Sequence, residues 1–382
     1  MVYLNNAATT FPKPPAVLEA VARQLAQPPR DAGRGLGEGE DELLGCRKAV
    51  ARLLGTADYR RVLLTPGATF SLNLALMGLL GEEPGRWHCV TSCLEHNSVL
   101  RPLWELKRRG MGLTVLGLES ALDPAAWKKA VRPKTRALVT TAASNVLGIA
   151  PPLKELTELC LQRELFLVLD AAQAAGTLPL DAEKLPERTL IVFAGHKGLY
   201  GPEGTGALYL GTGVTFEELA PLLYGGTGVV SASQTQPLLL PHRYEAGTPN
   251  APGFAGLRAG VEFVLEQGVA DLGQQRARLT ALLREKLERI KKVTLYGYPK
   301  SGLQAGVVAF TAQGWDPTEL ADMLREVFGI HVRGGLHCAP LIHKHIGAPR
   351  GTLRASFGWQ NTEQDIQALV RAIRALIRGK AA

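Results

Sequence analysis

Long hydrophobic runs are absent from the sequence, and only 6% of its residues are aromatic. No stretch approaches the roughly 18 apolar residues of a helix that spans a membrane, so we expect no integral membrane protein. The first six residues have neither the basic segment nor the apolar segment of a secretory signal. The five cysteines are scattered and odd in number, which argues against a disulfide framework. These absences predict a protein of the reducing cytoplasm.

Dense basic clusters are also missing, although 43 Lys and Arg residues against 35 Asp and Glu residues give a net charge of +8. The densest groups, at 107–109, 128–129 and 291–292, hold only two or three basic residues each. No aromatic residues interleave with them, as a surface that stacks nucleic-acid bases would require. We therefore expect no nucleic-acid partner, whereas small acidic substrates and phosphates are compatible with the charge.

The middle of the chain alternates strand-like and helix-like segments. Short apolar runs bounded by Gly or Pro indicate buried strands at 62–65, 166–170, 190–194 and 207–210. This alternation predicts an α/β fold, with a mostly parallel sheet that is covered by helices on both faces. The carboxyl ends of such strands are where ligands usually bind.

After residue 250 the pattern becomes that of a smaller α+β domain, as the length of 382 residues allows. We predict one long helix over 255–290, a strand over 306–310, a helix over 317–327 and an amphipathic helix from Thr362. We assign residues 13–249 to a large domain. Residues 250–382, joined by residues 1–12, form a small domain.

Two charged residues follow buried strands and suggest a cofactor. Lys197 lies between glycines directly after the strand at 190–194, where desolvation would make its amine nucleophilic. Asp170 ends another strand, and a buried carboxylate is costly unless it is paired. A lysine that forms a Schiff base and an aspartate against the ring nitrogen are what pyridoxal phosphate needs. A surface turn lysine and a helix N-cap aspartate are the alternative interpretations.

Two further segments fit the same cofactor. Residues 66–69 join a strand to a helix, so backbone amides and the Thr69 hydroxyl could hold its phosphate. His96 follows another strand-like segment and could stack on the ring and carry protons near neutral pH. Taken alone, His96 is better explained as a structural histidine.

Cys338 differs from the other four cysteines. Cys46, Cys89, Cys93 and Cys160 lie in apolar helical or strand patterns, where a thiol is inert. Cys338 follows Gly334-Gly335 and precedes Pro340, which predicts a loop; Arg333 and His337 could both favour its thiolate. Such a thiolate can attack a sulfur atom of a bound substrate.

A zinc site is an alternative interpretation of this segment, because it also contains His337, Cys338, His343 and His345. No second Cys pair supports that interpretation. We expect no metal.

Six segments resemble, in their order, the cysteine desulfurases of the class V aminotransferase group. They are residues 6–10, 95–96, 144–148, 170–173, 195–197 and 333–339. The resemblance covers essentially the whole chain. The Arg-x-Gly-x-His-Cys-Ala pattern is similar to the second group of these enzymes, in which the nucleophile lies on a short loop. It implies fold type I of the pyridoxal phosphate enzymes, a seven-stranded type of sheet, and a homodimer with active sites at the subunit interface.

The resemblance implies a role for each matching residue. Lys197 would bind the cofactor and move the substrate Cα proton, and Cys338 would take sulfur from L-cysteine as a persulfide and leave L-alanine. Asp170 would pair with the ring nitrogen. The other cofactor contacts would be Ala68, Thr69 and His196 at the phosphate, Gln173 at the ring hydroxyl, His96 on the ring face, and Thr248 at the phosphate of the neighbouring subunit. The substrate would be held by Arg354, Asn145 and Ala7.

The sequence departs from the family in two places. Ala194 stands where many relatives have a serine, so one phosphate hydroxyl is missing. The segment 33–35 lacks a histidine that some members carry. Three alternatives to a cysteine desulfurase remain at this point: a selenocysteine lyase, another class V aminotransferase or lyase acting on a small amino acid, and a non-catalytic scaffold. An acidic sulfur-acceptor protein is a further possible partner.

Overall fold

The fold is taken from a computed structural model that describes residues 1–28, 41–297 and 305–379. The segment 33–35 lies outside these residues. Within them the strands are β1 (Val2–Tyr3), β2 (Val62–Thr65), β3 (His88–Ser92), β4 (Gly112–Leu116), β5 (Thr135–Thr141), β6 (Phe166–Asp170), β7 (Thr189–Ala194), β8 (Gly206–Leu210), β9 (Val293–Tyr296), β10 (Val307–Ala312), β11 (Ile330–His331), β12 (Arg333–Gly335) and β13 (Thr352–Ser356).

The α-helices of the same residues alternate with the strands over the first two thirds of the chain. They are α1 (Pro15–Leu25), α2 (Glu42–Leu53), α3 (Ala68–Leu80), α4 (Asn97–Arg108), α5 (Leu118–Leu122), α6 (Pro124–Ala130), α7 (Leu153–Arg163), α8 (Ala251–Gln267), α9 (Val269–Glu288), α10 (Pro317–Phe328), α11 (Pro340–His345) and α12 (Glu363–Gly379). No helix in the described part of the chain is long and apolar enough to cross a membrane.

A seven-stranded sheet in the order β2-β8-β7-β6-β5-β3-β4 forms the centre of the molecule. All of its strands are parallel except β8, which runs antiparallel to both neighbours. Buried clusters lie on both faces of the sheet, with α2 and α8 on one face and α3 and α4 on the other. The prediction of a mostly parallel, doubly covered sheet is confirmed.

The register of β6 and β7 positions the functional side chains. Asp170, the last residue of β6, pairs with Thr141 of β5 and Val192 of β7. Lys197 follows the end of β7 by three residues. The aspartate and the lysine therefore emerge at the same edge of the sheet, where parallel strands present their carboxyl ends.

The predicted long helix over 255–290 is wrong. The chain forms two helices, α8 and α9, which meet at Gly268, where the backbone takes a φ of 83°. α8 packs against α1 and α2. α9 contributes Leu279, Leu283 and Leu287 to the core of the second sheet.

The second sheet is antiparallel, in the order β12-β13-β10-β9, and is packed on α9, α10 and α12. The predicted apolar positions of α12 are buried here at Ile366, Leu369, Val370, Ile373 and Ile377, and Leu376 is partly buried. β1 pairs with β11, so the first residues of the chain join this part of the fold. The division of the chain at residue 249 stays a prediction.

Candidate active site

A cavity of about 580 Å³ lies at the carboxyl ends of β6 and β7 and also reaches the second sheet. It gathers most of the side chains that the sequence predicts as functional. Those that line it are Ala7, Ala68, Thr69, His96, Asn145, Asp170, Gln173, His196, Lys197 and Arg354. Cys338 and Thr248 are not part of its lining. The residues come from distant parts of the sequence, so the fold alone brings them together.

Lys197 is held on a tight turn. Its carbonyl oxygen accepts hydrogen bonds from Tyr200 N (2.9 Å) and Thr10 Oγ1 (3.1 Å). A Cβ on Gly198 would lie 2.1 Å from the carbonyl oxygen of Ala175, so only glycine fits beside the lysine. Burial lowers the pKa of Lys197 to about 8, and nearby Asp170 partly opposes this shift. An amine with this pKa is a nucleophile near neutral pH.

Asp170 is a buried carboxylate, only 5% exposed. One oxygen accepts a hydrogen bond from Ala172 N at 2.9 Å, so the side chain also caps the following turn. Burial raises its pKa, while the Ala172 amide and the charge of Lys197 lower it. Among the described residues no cation forms an ion pair with it. A buried carboxylate of this kind is suited to pair with a protonated ring nitrogen, such as that of pyridoxal phosphate.

The predicted phosphate site lies at the start of α3. Gly67 is the N-cap of this helix, and Thr69 Oγ1 lies 2.8 Å from Ser98 Oγ. His196 lines the same cavity, and its buried Nδ1 has no hydrogen-bond partner in the part of the chain that the structure describes. Ala194 presents only a methyl group here. Ser98, which also lines the cavity, adds a hydroxyl that sequence reasoning missed, although it stands two residues after His96.

His96 is the N-cap of α4, and its Nδ1 accepts a hydrogen bond from Ser98 N at 3.0 Å. Burial, followed by the charges of Lys197 and Arg333, lowers its pKa to about 4. The ring is therefore neutral at pH 7, which differs from the expected titration near neutral pH. Its proposed place against a cofactor ring does not depend on that titration.

Arg354, in β13, is 1% exposed. Its Nη1 donates to the carbonyl oxygen of Asn145 at 2.9 Å, but its buried Nε and Nη2 have no hydrogen-bond partner among the described residues. Burial, followed by the charge of Arg333, lowers its pKa to about 9. A buried guanidinium with free N–H groups beside a cavity is suited to bind a carboxylate. The Asn145 amide is itself engaged, since Nδ2 donates to His337 O at 2.8 Å.

Gln173 and Ala7 meet at the side of the cavity. Gln173 Nε2 donates to the carbonyl oxygen of Ala7 at 2.9 Å, and Ala7 N donates to Ser356 Oγ at 2.9 Å. The N-terminal segment is thus tied both to the turn after β6 and to the end of β13. This position is compatible with the predicted roles of both residues.

Cys338 lies on the loop after β12, half-buried and next to the cavity-lining residues Arg333 and His337. The guanidinium of Arg333 is 3.6 Å from its Sγ. His337 is 2% exposed, and burial keeps the pKa of its ring well below the usual value. Burial thus disfavours a positive charge on His337, whereas Arg333, Lys197 and Arg354 all place positive charge near Cys338.

The other four cysteines are buried, and burial raises the pKa of each thiol. The prediction that they are inert core residues agrees with these surroundings. Across the described residues no three side chains of His, Cys, Asp or Glu converge on a metal position. The ring nitrogens of His343 point to Ala339 O and to Thr352 instead.

Thr248 is exposed and lines a separate groove of about 860 Å³, together with Arg47 and Glu245. Pro66, Phe70 and Gly204 line both this groove and the cavity at Lys197. Within one chain Thr248 therefore stays outside the site. Its predicted contact with a neighbouring subunit stays a prediction.

Comparisons with known proteins agree with this geometry. The family model described as "Aminotransferase class-V" matches residues 2–369. A probable cysteine desulfurase of Methanothermobacter thermautotrophicus is 31% identical over 96% of this chain and 92% of its own length. A cysteine desulfurase of Yersinia pestis is 30% identical over 98% of this chain and 93% of its own length.

Two solved structures have the same fold over nearly the whole chain. The apo cysteine desulfurase of Thermococcus onnurineus aligns with a TM-score of 0.89 and 29% identity, covering 99% of this chain and 95% of the other. A cysteine desulfurase of Escherichia coli in an S-sulfonic acid form aligns with a TM-score of 0.87 and 29% identity, covering 98% and 94%.

Proposed function

Because the chain belongs to the aminotransferase class-V family, we propose that it is a pyridoxal phosphate-dependent cysteine desulfurase. It converts L-cysteine to L-alanine and leaves the sulfur on Cys338 as a persulfide. One observation carries the proposal: Lys197, Asp170 and Arg354 line one cavity, and the loop of Cys338 borders it. A thiol next to Arg333 has no use in a simple transamination, and this favours the desulfurase over an aminotransferase.

The residues present fit the cofactor. Lys197 would be its covalent attachment point, Asp170 would hold the ring nitrogen protonated, and Gln173 would contact the ring hydroxyl. The N-terminus of α3 with Thr69 would bind the phosphate, and the unpartnered Nδ1 of His196 faces the same space. When bound, the cofactor withdraws the electrons that are released when the substrate Cα loses its proton.

The side chains of this protein would then act in sequence. Arg354 would bind the substrate carboxylate through its Nε and Nη2 groups, which have no hydrogen-bond partner within the described ranges. The Lys197 amine, with a pKa of about 8, would accept the Cα proton. The thiolate of Cys338 would attack the substrate sulfur. An S–S bond forms as the Cβ–S bond breaks, the electron pair of that bond passes to the carbon skeleton, and two protons complete alanine.

Three parts of the proposal concern the surroundings of the enzyme. We propose a homodimer, because the exposed Thr248 lies in a groove that adjoins the phosphate site at Pro66 and Phe70. A second protein would accept the persulfide sulfur from Cys338, which is half-buried beside the exposed Leu336. A reducing location such as the cytoplasm would keep this thiol available.

The test is the Cys338→Ser variant. With L-cysteine it should still change the absorbance of the bound cofactor but should form no persulfide and no sulfide. The matched control is Cys160→Ala, which removes a buried thiol and should keep the turnover. Turnover by Cys338→Ser at the wild-type rate would refute the assigned nucleophile. Parallel kinetics with L-selenocysteine would decide between the desulfurase and a selenocysteine lyase.

A further inference from the structure

The loop that carries Cys338 has an unfavourable backbone. His337 and Cys338 have φ values of 51° and 57°, in the left-handed region that residues other than glycine seldom adopt. Two consecutive residues of this kind persist only where the surrounding structure holds them. The contacts that hold them therefore determine where the Cys338 sulfur lies.

Hydrogen bonds to the backbone restrain the loop from the large-sheet side. Asn97 N donates to the carbonyl oxygen of Cys338 at 2.7 Å, and Asn145 Nδ2 donates to that of His337 at 2.8 Å. Within the loop, Ala339 N donates to Leu336 O at 2.9 Å. These bonds fix the carbonyl groups on either side of the Cys338 Cα.

Two buried histidines restrain the loop from the other side. His343 Nδ1 lies 2.9 Å from Ala339 O; because a carbonyl only accepts, Nδ1 carries the proton and donates. Its Nε2 is then an acceptor, 3.5 Å from the Thr352 hydroxyl, which donates to it. The same hydroxyl accepts a hydrogen bond from His337 Nε2 at 3.1 Å. His337 Nε2 also lies 3.0 Å from the carbonyl oxygen of Thr352, so it carries a proton. Each step has one possible direction.

This relay connects the loop to the strand of the substrate-binding arginine. Thr352 begins β13, and Arg354 lies two residues further along the same strand. His343 is fully buried in α11, the helix that begins at Pro340, directly after Ala339. The relay therefore adds to the β12–β13 pairing a second connection between the Cys338 loop and the strand of the guanidinium that would hold the substrate carboxylate.

We infer that His343 and Thr352 are positioning residues, which hold the His337–Cys338 backbone so that the sulfur meets the substrate sulfur bound through Arg354. The inference rests on the proposed function of Cys338. Neither residue lines the cavity at Lys197. Because a misplacement of about 1 Å costs roughly 100-fold in rate, loss of the relay should slow the transfer of sulfur and leave substrate binding intact.

The test compares four reconstituted variants with the wild type: His343→Ala, His343→Asn, Thr352→Val and His345→Ala. Rapid mixing with L-cysteine measures the rate of persulfide formation on Cys338, the L-cysteine concentration at half saturation, and the change in cofactor absorbance. His343→Asn keeps an amide donor near the position of Nδ1. His345 lies in the same helix but is exposed, so His345→Ala is the matched control.

We expect His343→Ala to lower the maximal rate of persulfide formation about 10- to 100-fold, with the half-saturating concentration and the absorbance change within about 3-fold of the wild type. His343→Asn should retain most of the wild-type rate of persulfide formation. Thr352→Val, which replaces only the hydroxyl with a methyl group, should lose part of that rate. A merely structural role would lower the melting temperature but leave the rate per bound cofactor unchanged.

Wild-type rates per bound cofactor in both His343→Ala and Thr352→Val would overturn the inference while leaving the proposed function in place. If His343→Ala does not fold, Thr352→Val alone decides by the same rate. A wild-type protein that forms alanine without persulfide, or no alanine, would instead refute the proposed function, and the inference would fall with it.

Discussion

Replacing Arg354 with methionine should make the cofactor-free protein more stable and the enzyme much less active. The guanidinium is 1% exposed, and its single hydrogen bond within the described residues goes to the carbonyl oxygen of Asn145. No carboxylate there compensates its charge, and Arg333 lies near enough to repel it. Methionine has a similar length and no charge, so it removes the repulsion without leaving a large void.

The pKa of Arg354 gives the size of the effect on stability. Its fall from 12.5 to about 9 corresponds to a cost of roughly 3–5 kcal/mol for keeping the buried group charged. Loss of the hydrogen bond to Asn145 reduces this gain in stability by about 1 kcal/mol. The net gain of about 2–4 kcal/mol should raise the melting temperature of the cofactor-free protein by roughly 2–5 °C. Loss of a charged contact with the substrate carboxylate should lower kcat/KM roughly 30- to 150-fold.

Calorimetry of the cofactor-free protein and alanine formation at increasing L-cysteine concentrations measure the two effects. Arg278→Met is the control, because Arg278 is exposed and pairs with Glu363, so neither quantity should change much. A lower melting temperature for Arg354→Met, together with an unchanged kcat/KM, would refute this reasoning. It would mean that Arg354 neither binds the substrate carboxylate nor lowers the stability of the protein.

Three further predictions follow from the buried ionisable groups. Asp170→Asn should keep the bond from Ala172 N and the fold, seen by circular dichroism, but should lose at least about 100-fold in turnover, since an amide cannot hold the ring nitrogen protonated. The rate at which cofactor-free protein binds pyridoxal phosphate, followed by absorbance, should rise with pH up to about 8 and then level off, because Lys197 reacts as the neutral amine; a rate that is flat between pH 6 and 9 would contradict this pKa. Burial raises the pKa of Glu95 from 4.5 to about 8. Between these pH values the folded protein retains a proton that the unfolded chain has lost. The contribution of Glu95 to stability therefore falls as the pH rises from about 4.5 to about 8. Glu95→Gln should therefore raise the melting temperature at pH 8 and not at pH 4.5, and an equal shift at both would be inconsistent with this.

Four of the seven strands of the large sheet were predictable because their residues are buried and mainly apolar on both faces. The runs at 62–65 and 166–170 coincide with β2 and β6, and those at 190–194 and 207–210 differ from β7 and β8 by one residue at the start. The antiparallel direction of β8 was not visible in this pattern. It follows from the connection after β7, which contains no helix and so returns the chain in the opposite direction.

The break between α8 and α9 was missed because the apolar spacing continues across Gly268. Within the helical pattern one glycine costs only about 1 kcal/mol, so it does not by itself predict an end. Here tertiary packing decides, since α8 packs on α1 and α2 while α9 contributes to the core of the second sheet.

The positions of the candidate site residues were predictable where a chemical group lies at or after the end of a strand, as for Asp170 and Lys197. Properties that depend on neighbours distant in sequence were not. The low pKa of His96 comes from burial and from Lys197 and Arg333. The contacts of His343 with Thr352 require the α11 helix to pack beside β13, which no local pattern specifies.

The central claim is that Cys338 takes the sulfur from the substrate. The most direct test is a single turnover of the cofactor-loaded enzyme with L-cysteine and no reductant, in which alanine is quantified and the peptide of Cys338 is analysed by mass spectrometry. We expect equal amounts of alanine and of Cys338 peptide that carries one additional sulfur atom. Alanine formed without that added sulfur, or with the sulfur on another cysteine, would contradict it.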